Sequence, residues 1–154
     1  MSRTTISRFV LDTNAFVLYL LAGEDGEIQR MLRDAETGRQ KVLMNAYNLA
    51  EVYVRLAPRL SEEQLDEVVR VAQALPIRWI AISDDLVFSA ARLRANYEID
   101  AAAAIAVATA MQENAILVTP EPLAGAMEGV SVRPLRNIKA EALRELNAGQ
   151  QANR

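Results

Sequence analysis

Neither cysteine nor histidine occurs anywhere in the 154 residues. The first absence excludes disulfides and thiolate chemistry. The second removes imidazole as a general base, as a zinc ligand and as a member of a catalytic triad. Acid–base or metal chemistry in this chain therefore rests on oxygen groups, chiefly Asp and Glu. An excess of positive charge is also missing: 17 Lys and Arg face 20 Asp and Glu, a net charge of −3. The chain is no generic polyanion binder, and a nucleic-acid ligand would need a local basic strip or metal ions to neutralise phosphates. No apolar stretch is long enough to span a bilayer. The amino-terminal "MSRTTISR" is polar and the apolar run after it is broken by Asp12, so no signal peptide is expected and a cytoplasmic location follows. Internal repeats, linkers and low-complexity blocks are absent as well. One domain is expected over residues 1–147, followed by a flexible tail over 148–154.

What is present alternates. Strands are expected at Ile6–Leu11, Lys41–Met44, Ile77–Ile82, Ala115–Thr119 and Val130–Val132. Between them lie helical patterns: Asn14–Leu21, Gly26–Thr37, Tyr47–Leu56, a helix opened by Ser61 and a capping box with Gln64, one capped by Ser83, and one opened near Asp100. Ile138–Leu146 reads as a closing helix. Such alternation predicts a three-layer α/β/α sandwich around a mostly parallel sheet of four to five strands. In these folds the functional crevice lies at the carboxyl ends of the strands.

Most acids need no function. Glu24, Asp25 and Glu27, like Asp84 and Asp85, suit the positive end of a helix dipole. Glu62, Glu63, Asp66 and Glu67 form a solvated helix face. Four others stand out. Asp12 ends the first strand, Glu51 lies among apolar neighbours in "NLAEV", Asp100 opens a very apolar helix, and Glu121 follows the strand "AILVT". Each has a plainer reading. Asp12 and Asp100 also fit as helix caps, Glu51 as a residue on an amphipathic face, and Glu121 as a loop acid. Together they favour a site. Carboxylates gathered at one sheet edge repel one another unless protonated or bridged by a cation. With no His or Cys available, Mg²⁺ or Mn²⁺ is the fitting ion.

Three stretches carry a family resemblance: "FVLDTNAFVLYLL", "NAYNLAEVYVRL" and "YEIDAAAAIAVATAMQENAILVTPEP". In order and spacing they resemble the acidic motifs of PIN-domain nucleases, most nearly the VapC-type toxins of toxin–antitoxin pairs. The resemblance implies a metal-dependent endoribonuclease with an RNA substrate, a cognate antitoxin and a homodimeric state. It places the family's acids on Asp12, Glu51, Asp100 and Glu121. Asp12 and Asp100 would hold Mg²⁺, Glu51 would position the attacking water or a second ion, and Glu121 would complete the metal's surroundings, directly or through water. Thr13, Asn14 and Thr119 fall where the family often has small polar residues that orient carboxylates or water. The fourth motif departs from the family: Glu121 replaces the usual Asp and sits between Pro120 and Pro122. A second reading from another class is a catalytically weak PIN-like module that binds nucleic acid or serves assembly. A phosphotransferase with Asp12 as nucleophile is disfavoured, because such a motif wants a second Asp where Asn14 stands.

Overall fold

The computed structural model describes residues 5–22, 26–121 and 127–135. Its strands are β1 (Ser7–Leu11), β2 (Gln40–Asn45), β3 (Ile77–Ile80), β4 (Ile116–Thr119) and β5 (Ser131–Pro134). The helices are α1 (Thr13–Ala22), α2 (Glu27–Glu36), α3 (Ala46–Leu56), α4 (Glu62–Ala74), α5 (Asp84–Asn96) and α6 (Ala101–Gln112). All strand pairs are parallel, in the order β3-β2-β1-β4-β5. The expected closing helix Ile138–Leu146, the tail, and the residues Gly23, Glu24 and Asp25 lie outside the described residues.

Two apolar cores explain the layering. Along β1, Phe9 and Leu11 face one core while Val10 faces the other, as the two-residue period of a strand requires. The first core joins β1 and β2 to Phe16 and Val17 of α1, Met31 and Leu32 of α2, Leu49 and Val52 of α3, and Leu65 of α4. The second sets Val10 and Leu43 against Ala106, Val107 and Ala110 of α6. A third cluster, built on Leu86 and Ala90, seals α5 onto α6. The near-uniform apolarity of α1 thus serves burial: Ala15 to Leu18 are all inside the core. No helix among the described residues is long and apolar enough to cross a membrane.

Local signals set the helix ends. Ser61 and Gln64 form the full reciprocal capping box of α4, and Ser83 caps α5. Gly38, past the end of α2, takes φ +78, the left-handed stop that favours glycine. β3 is shorter than its sequence pattern and ends at Ile80. Its partner β2 runs out at Asn45, which pairs with Ile80, and the chain there turns into α3. Ile82 has no strand to pair with and is exposed.

The order of connections locates the crevice. From β1 the chain steps to β2 and β3, then returns to place β4 on the opposite side of β1. The carboxyl ends of β1 and β4 therefore flank the topological switch point, where the connecting chains part and leave a gap.

Candidate active site

Asp12 follows β1 directly and Glu121 stands two residues beyond β4, one on each side of that gap. The chain immediately after β1 becomes α1, so Asp12 is caught between sheet and helix. It is 8% exposed. Its Oδ1 accepts the Ala15 N–H at 2.7 Å, so it caps α1 as well as facing the gap. The Thr119 hydroxyl, which accepts the Glu121 N–H at 3.2 Å, lies near enough to favour the ionised carboxylate. Burial dominates and pushes the Asp12 carboxyl up to about 6. The Thr119 hydroxyl, the Ala15 N–H and the charge of Arg55 act the other way, and the nearby Glu121 adds to the rise. Asp12 is thus an acid whose ionised form is poorly compensated by the protein itself.

A cavity of about 10 Å³, close to the space of one water-sized sphere, opens beside it. Asp12, Asp100 and Glu121 line it, together with Asn14 and Arg55. Asp100 caps α6 by accepting the Ala103 N–H at 2.8 Å. The cap and the site are therefore compatible roles for the same carboxylate, which has a second oxygen left over. Asn14 donates from Nδ2 to Glu121 Oε1 at 2.5 Å, which ties α1 to the end of β4. Its own Oδ1 is shielded from solvent and has no hydrogen-bond partner.

Glu51 is placed differently. It is half-buried on α3 and is not among the residues that line this cavity. The α3 residue that lines it is Arg55, one helical turn later. Arg55 is not among the residues expected at the site from sequence, although its i+4 relation to Glu51 puts both on one side of the helix. Among the described residues, no three acidic groups already stand close enough to share one ion.

A second omission lies beneath the cavity. Asn45, Asn48 and Thr109 are fully buried polar residues. Asn45 caps α3 by accepting the Asn48 N–H at 2.8 Å. The Asn45 Nδ2 donates to Asn48 Oδ1 at 2.7 Å and to Thr109 Oγ1 at 3.0 Å. The Asn48 Nδ2 then donates to Thr13 Oγ1 and to the Ala102 carbonyl, both at 3.0 Å. Thr13 completes the loop by donating to the Asn48 carbonyl at 3.3 Å. Thr13 therefore bonds to Asn48 and not to a carboxylate. Asn48 clamps together the starts of α1, α3 and α6, the helices that begin beside Asp12, carry Glu51 and Arg55, and begin at Asp100. The signal available in sequence was "MNAYN", a strand followed by Asn at a capping distance from a second Asn.

The sequence matches the model of the PIN domain family over residues 9–121. This chain belongs to the PIN-domain family. The matched span runs from β1 to Glu121 and so includes every residue that lines the cavity. A search of curated proteins returned no match. Among solved structures, VapBC2 from Rickettsia felis, crystallised with a promoter DNA fragment, aligns with a TM-score of 0.66 at 17% identity, covering 84% of this chain and 99% of that one. VapC20 of Mycobacterium tuberculosis, described as a sarcin–ricin loop cleaving toxin, aligns at 0.59 and 16% identity over 82% and 99% of the two chains. A toxin–antitoxin complex from Klebsiella pneumoniae aligns at 0.53 and 25% identity over 79% and 93%. This PIN domain thus shares the fold of VapC-type proteins.

The donor chemistry of the carboxylates that line the cavity of the PIN domain suits a hard divalent cation. The cavity offers carboxylates from Asp12, Asp100 and Glu121 and one unclaimed amide oxygen, Asn14 Oδ1. Such ions take oxygen ligands and retain several waters, so protein groups need not supply the whole coordination sphere.

Proposed function

We propose that this PIN domain is a Mg²⁺- or Mn²⁺-dependent endoribonuclease, the toxin of a toxin–antitoxin pair, acting in the cytoplasm under the control of a cognate antitoxin. The observation that carries the reading is the convergence of Asp12, Asp100 and Glu121 on one cavity at the switch point, beside the orphaned Asn14 Oδ1. The resemblance of the fold to VapC20 and to proteins solved in toxin–antitoxin complexes supports the substrate class and the partner. A homodimer is part of the reading. Exposed Val87 and Phe88 on α5 would give it an apolar face.

In this reading Asp12 and Asp100 would hold the ion, with Glu121 and Asn14 Oδ1 completing its surroundings. When bound there, such an ion would lower the pKa of a water nucleophile and stabilise charge on the phosphoryl oxygens. The remaining roles belong to the protein. Thr119 and the start of α1 would orient the Asp12 carboxylate, Asn14 holds Glu121 in place, and Glu51, outside the cavity lining, would act on the attacking water only from beyond it. The alternative is a binding module with little catalysis, favoured by the position of Glu51 outside the cavity lining.

Incubating the protein with end-labelled single-stranded RNA separates the two. Cleavage with Mn²⁺ or Mg²⁺, lost in EDTA and restored by excess metal, is the expected result. Absence of cleavage across millimolar metal would leave the binding module. Glu121→Gln gives a graded test of the fourth acid. The amide removes one negative charge but keeps an oxygen able to accept from Asn14, so metal affinity and cleavage should fall roughly 10- to 100-fold, the range for groups that support a metal's ligands. A loss as complete as that from Asp12→Asn would make Glu121 a direct ligand, and a silent variant would make it a loop acid.

A further inference from the structure

We propose that Arg55 grips the phosphate of the RNA strand at this site. The inference rests on the nuclease reading and adds a residue to it. The problem Arg55 answers is electrostatic. A phosphodiester carries a negative charge, and the cavity it must approach is lined by Asp12, Asp100 and Glu121. One divalent ion does not neutralise three carboxylates and a phosphate. Arg55 is the one cationic residue in that lining, and its charge already offsets that of Asp12.

Its position follows from helix geometry. Asn48, Val52 and Arg55 recur at intervals of four and three along α3 and so share a side of the helix. Asn48 and Val52 on that side are fully buried, which fixes the rotation of α3 about its axis. Helical side chains lean toward the amino-terminal end. Arg55 therefore reaches back along α3 toward the end where Asn48 meets Thr13 and Ala102, which is the end beside the cavity.

Among the described residues no ion pair within 4 Å joins Arg55 to a carboxylate; the pairs are Arg8 with Glu113 and Arg70 with Glu67. Even Glu51, one turn earlier on the same helix, does not hold it. An arginine serving only to balance buried charge would be expected to close such a pair, since bidentate carboxylate geometry is its strongest arrangement. A half-buried arginine not drawn into an ion pair with any described carboxylate presents a rigid fork to the two non-bridging oxygens of a phosphate. Bound that way, it would hold the phosphate in the cavity that Asp12 also lines.

Binding of fluorescent single-stranded RNA in EDTA tests this without metal and without turnover. Arg55→Met should weaken binding about 10-fold or more and make the salt dependence shallower by about 0.7, the value for one phosphate contact on a single strand. Arg55→Lys keeps the charge and loses the fork, so it should fall between. Mn²⁺ affinity, read by calorimetry, should hold or tighten in both variants, because a competing positive charge is removed or loosened. Where metal-free binding is too weak to read, KM with Mn²⁺ carries the same comparison, rising by the same factor with kcat less affected. Wild-type affinity and salt slope in Arg55→Met would overturn the proposal. So would a parallel loss of Mn²⁺ affinity, which would make Arg55 a residue that arranges the carboxylates. If the wild type neither binds RNA nor cleaves it with Mn²⁺, the nuclease reading falls and Arg55 falls with it. If the wild type cleaves and only Arg55→Met is silent, the nuclease reading stands alone.

Discussion

Asp12→Asn should make the metal-free protein more stable at pH 7.5 while abolishing its response to metal and its cleavage of RNA. The reason is the cost of ionising a buried acid. The carboxyl sits at about 6 in the folded protein against an ordinary 3.8. Below about pH 4 the group is protonated in both states and costs nothing. As pH rises toward 6 the unfolded chain releases its proton while the folded protein keeps it, so stability falls. Above about 6 both states are ionised and the full penalty remains. A difference of about two pH units corresponds to roughly 3 kcal/mol, or several degrees in Tm for a domain of this size.

Asparagine escapes that penalty at little structural cost. Its Oδ1 can still accept from Ala15, and the Thr119 hydroxyl can turn to accept from the new amide. Melts of both proteins in EDTA between pH 4 and 8 check the claim. The variant should gain on the wild type as pH rises, with the gap closing near pH 4. Added Mn²⁺ should then restore the wild type, because a ligand of the native state stabilises by mass action, and should leave Asp12→Asn unmoved. Equal melting of the two proteins at pH 7.5 in EDTA would show that the carboxylate is not under strain.

Asn48→Ala should be the most destabilising single change at the site that does not touch a carboxylate. It removes the bonds that Asn48 donates to Thr13 and to the Ala102 carbonyl, and the one it accepts from Asn45. The partners are buried, and each unpaired polar group costs about 1–3 kcal/mol. A total of about 3–5 kcal/mol is expected, in the range of lost buried networks. Asn48→Asp would not rescue it, because a carboxylate cannot donate to the Ala102 carbonyl. Thr109→Val, at the far end of the network, loses its bond from Asn45 and should cost much less. Denaturant unfolding orders the three variants. A Mn²⁺ titration at a temperature where Asn48→Ala is still folded should show weakened binding, since the starts of α1, α3 and α6 are no longer held together. Metal affinity unchanged in a destabilised Asn48→Ala would confine the clamp to stability.

The kinds of group available for chemistry were legible in the sequence because they follow from residue types. Without His or Cys, only oxygen groups remain, and the acids at element junctions were visible as departures from burial rules. The alternation of strands and helices, the Ser61–Gln64 capping box and the cap at Asp100 are local patterns, set by residues within one turn of each other. The sheet order is not local. It decides that β1 and β4 are neighbours, and only that brings Glu121 and Asn14 within hydrogen-bonding distance. Glu51 and Arg55 show the same division within one helix. Periodicity puts both on one side of α3, but the rotation of α3 is set by burying Leu49, Val52 and Asn48, and that packing brings Arg55 and not Glu51 to the cavity. The Asn48 network joins residues as far apart in sequence as Asn45 and Thr109, so no window of sequence contains it. The raised carboxyl of Asp12 likewise comes from burial beneath distant elements. Residue chemistry and short-range pattern determined the ingredients. Long-range packing decided which of them meet, because burial and charge depend on neighbours in space.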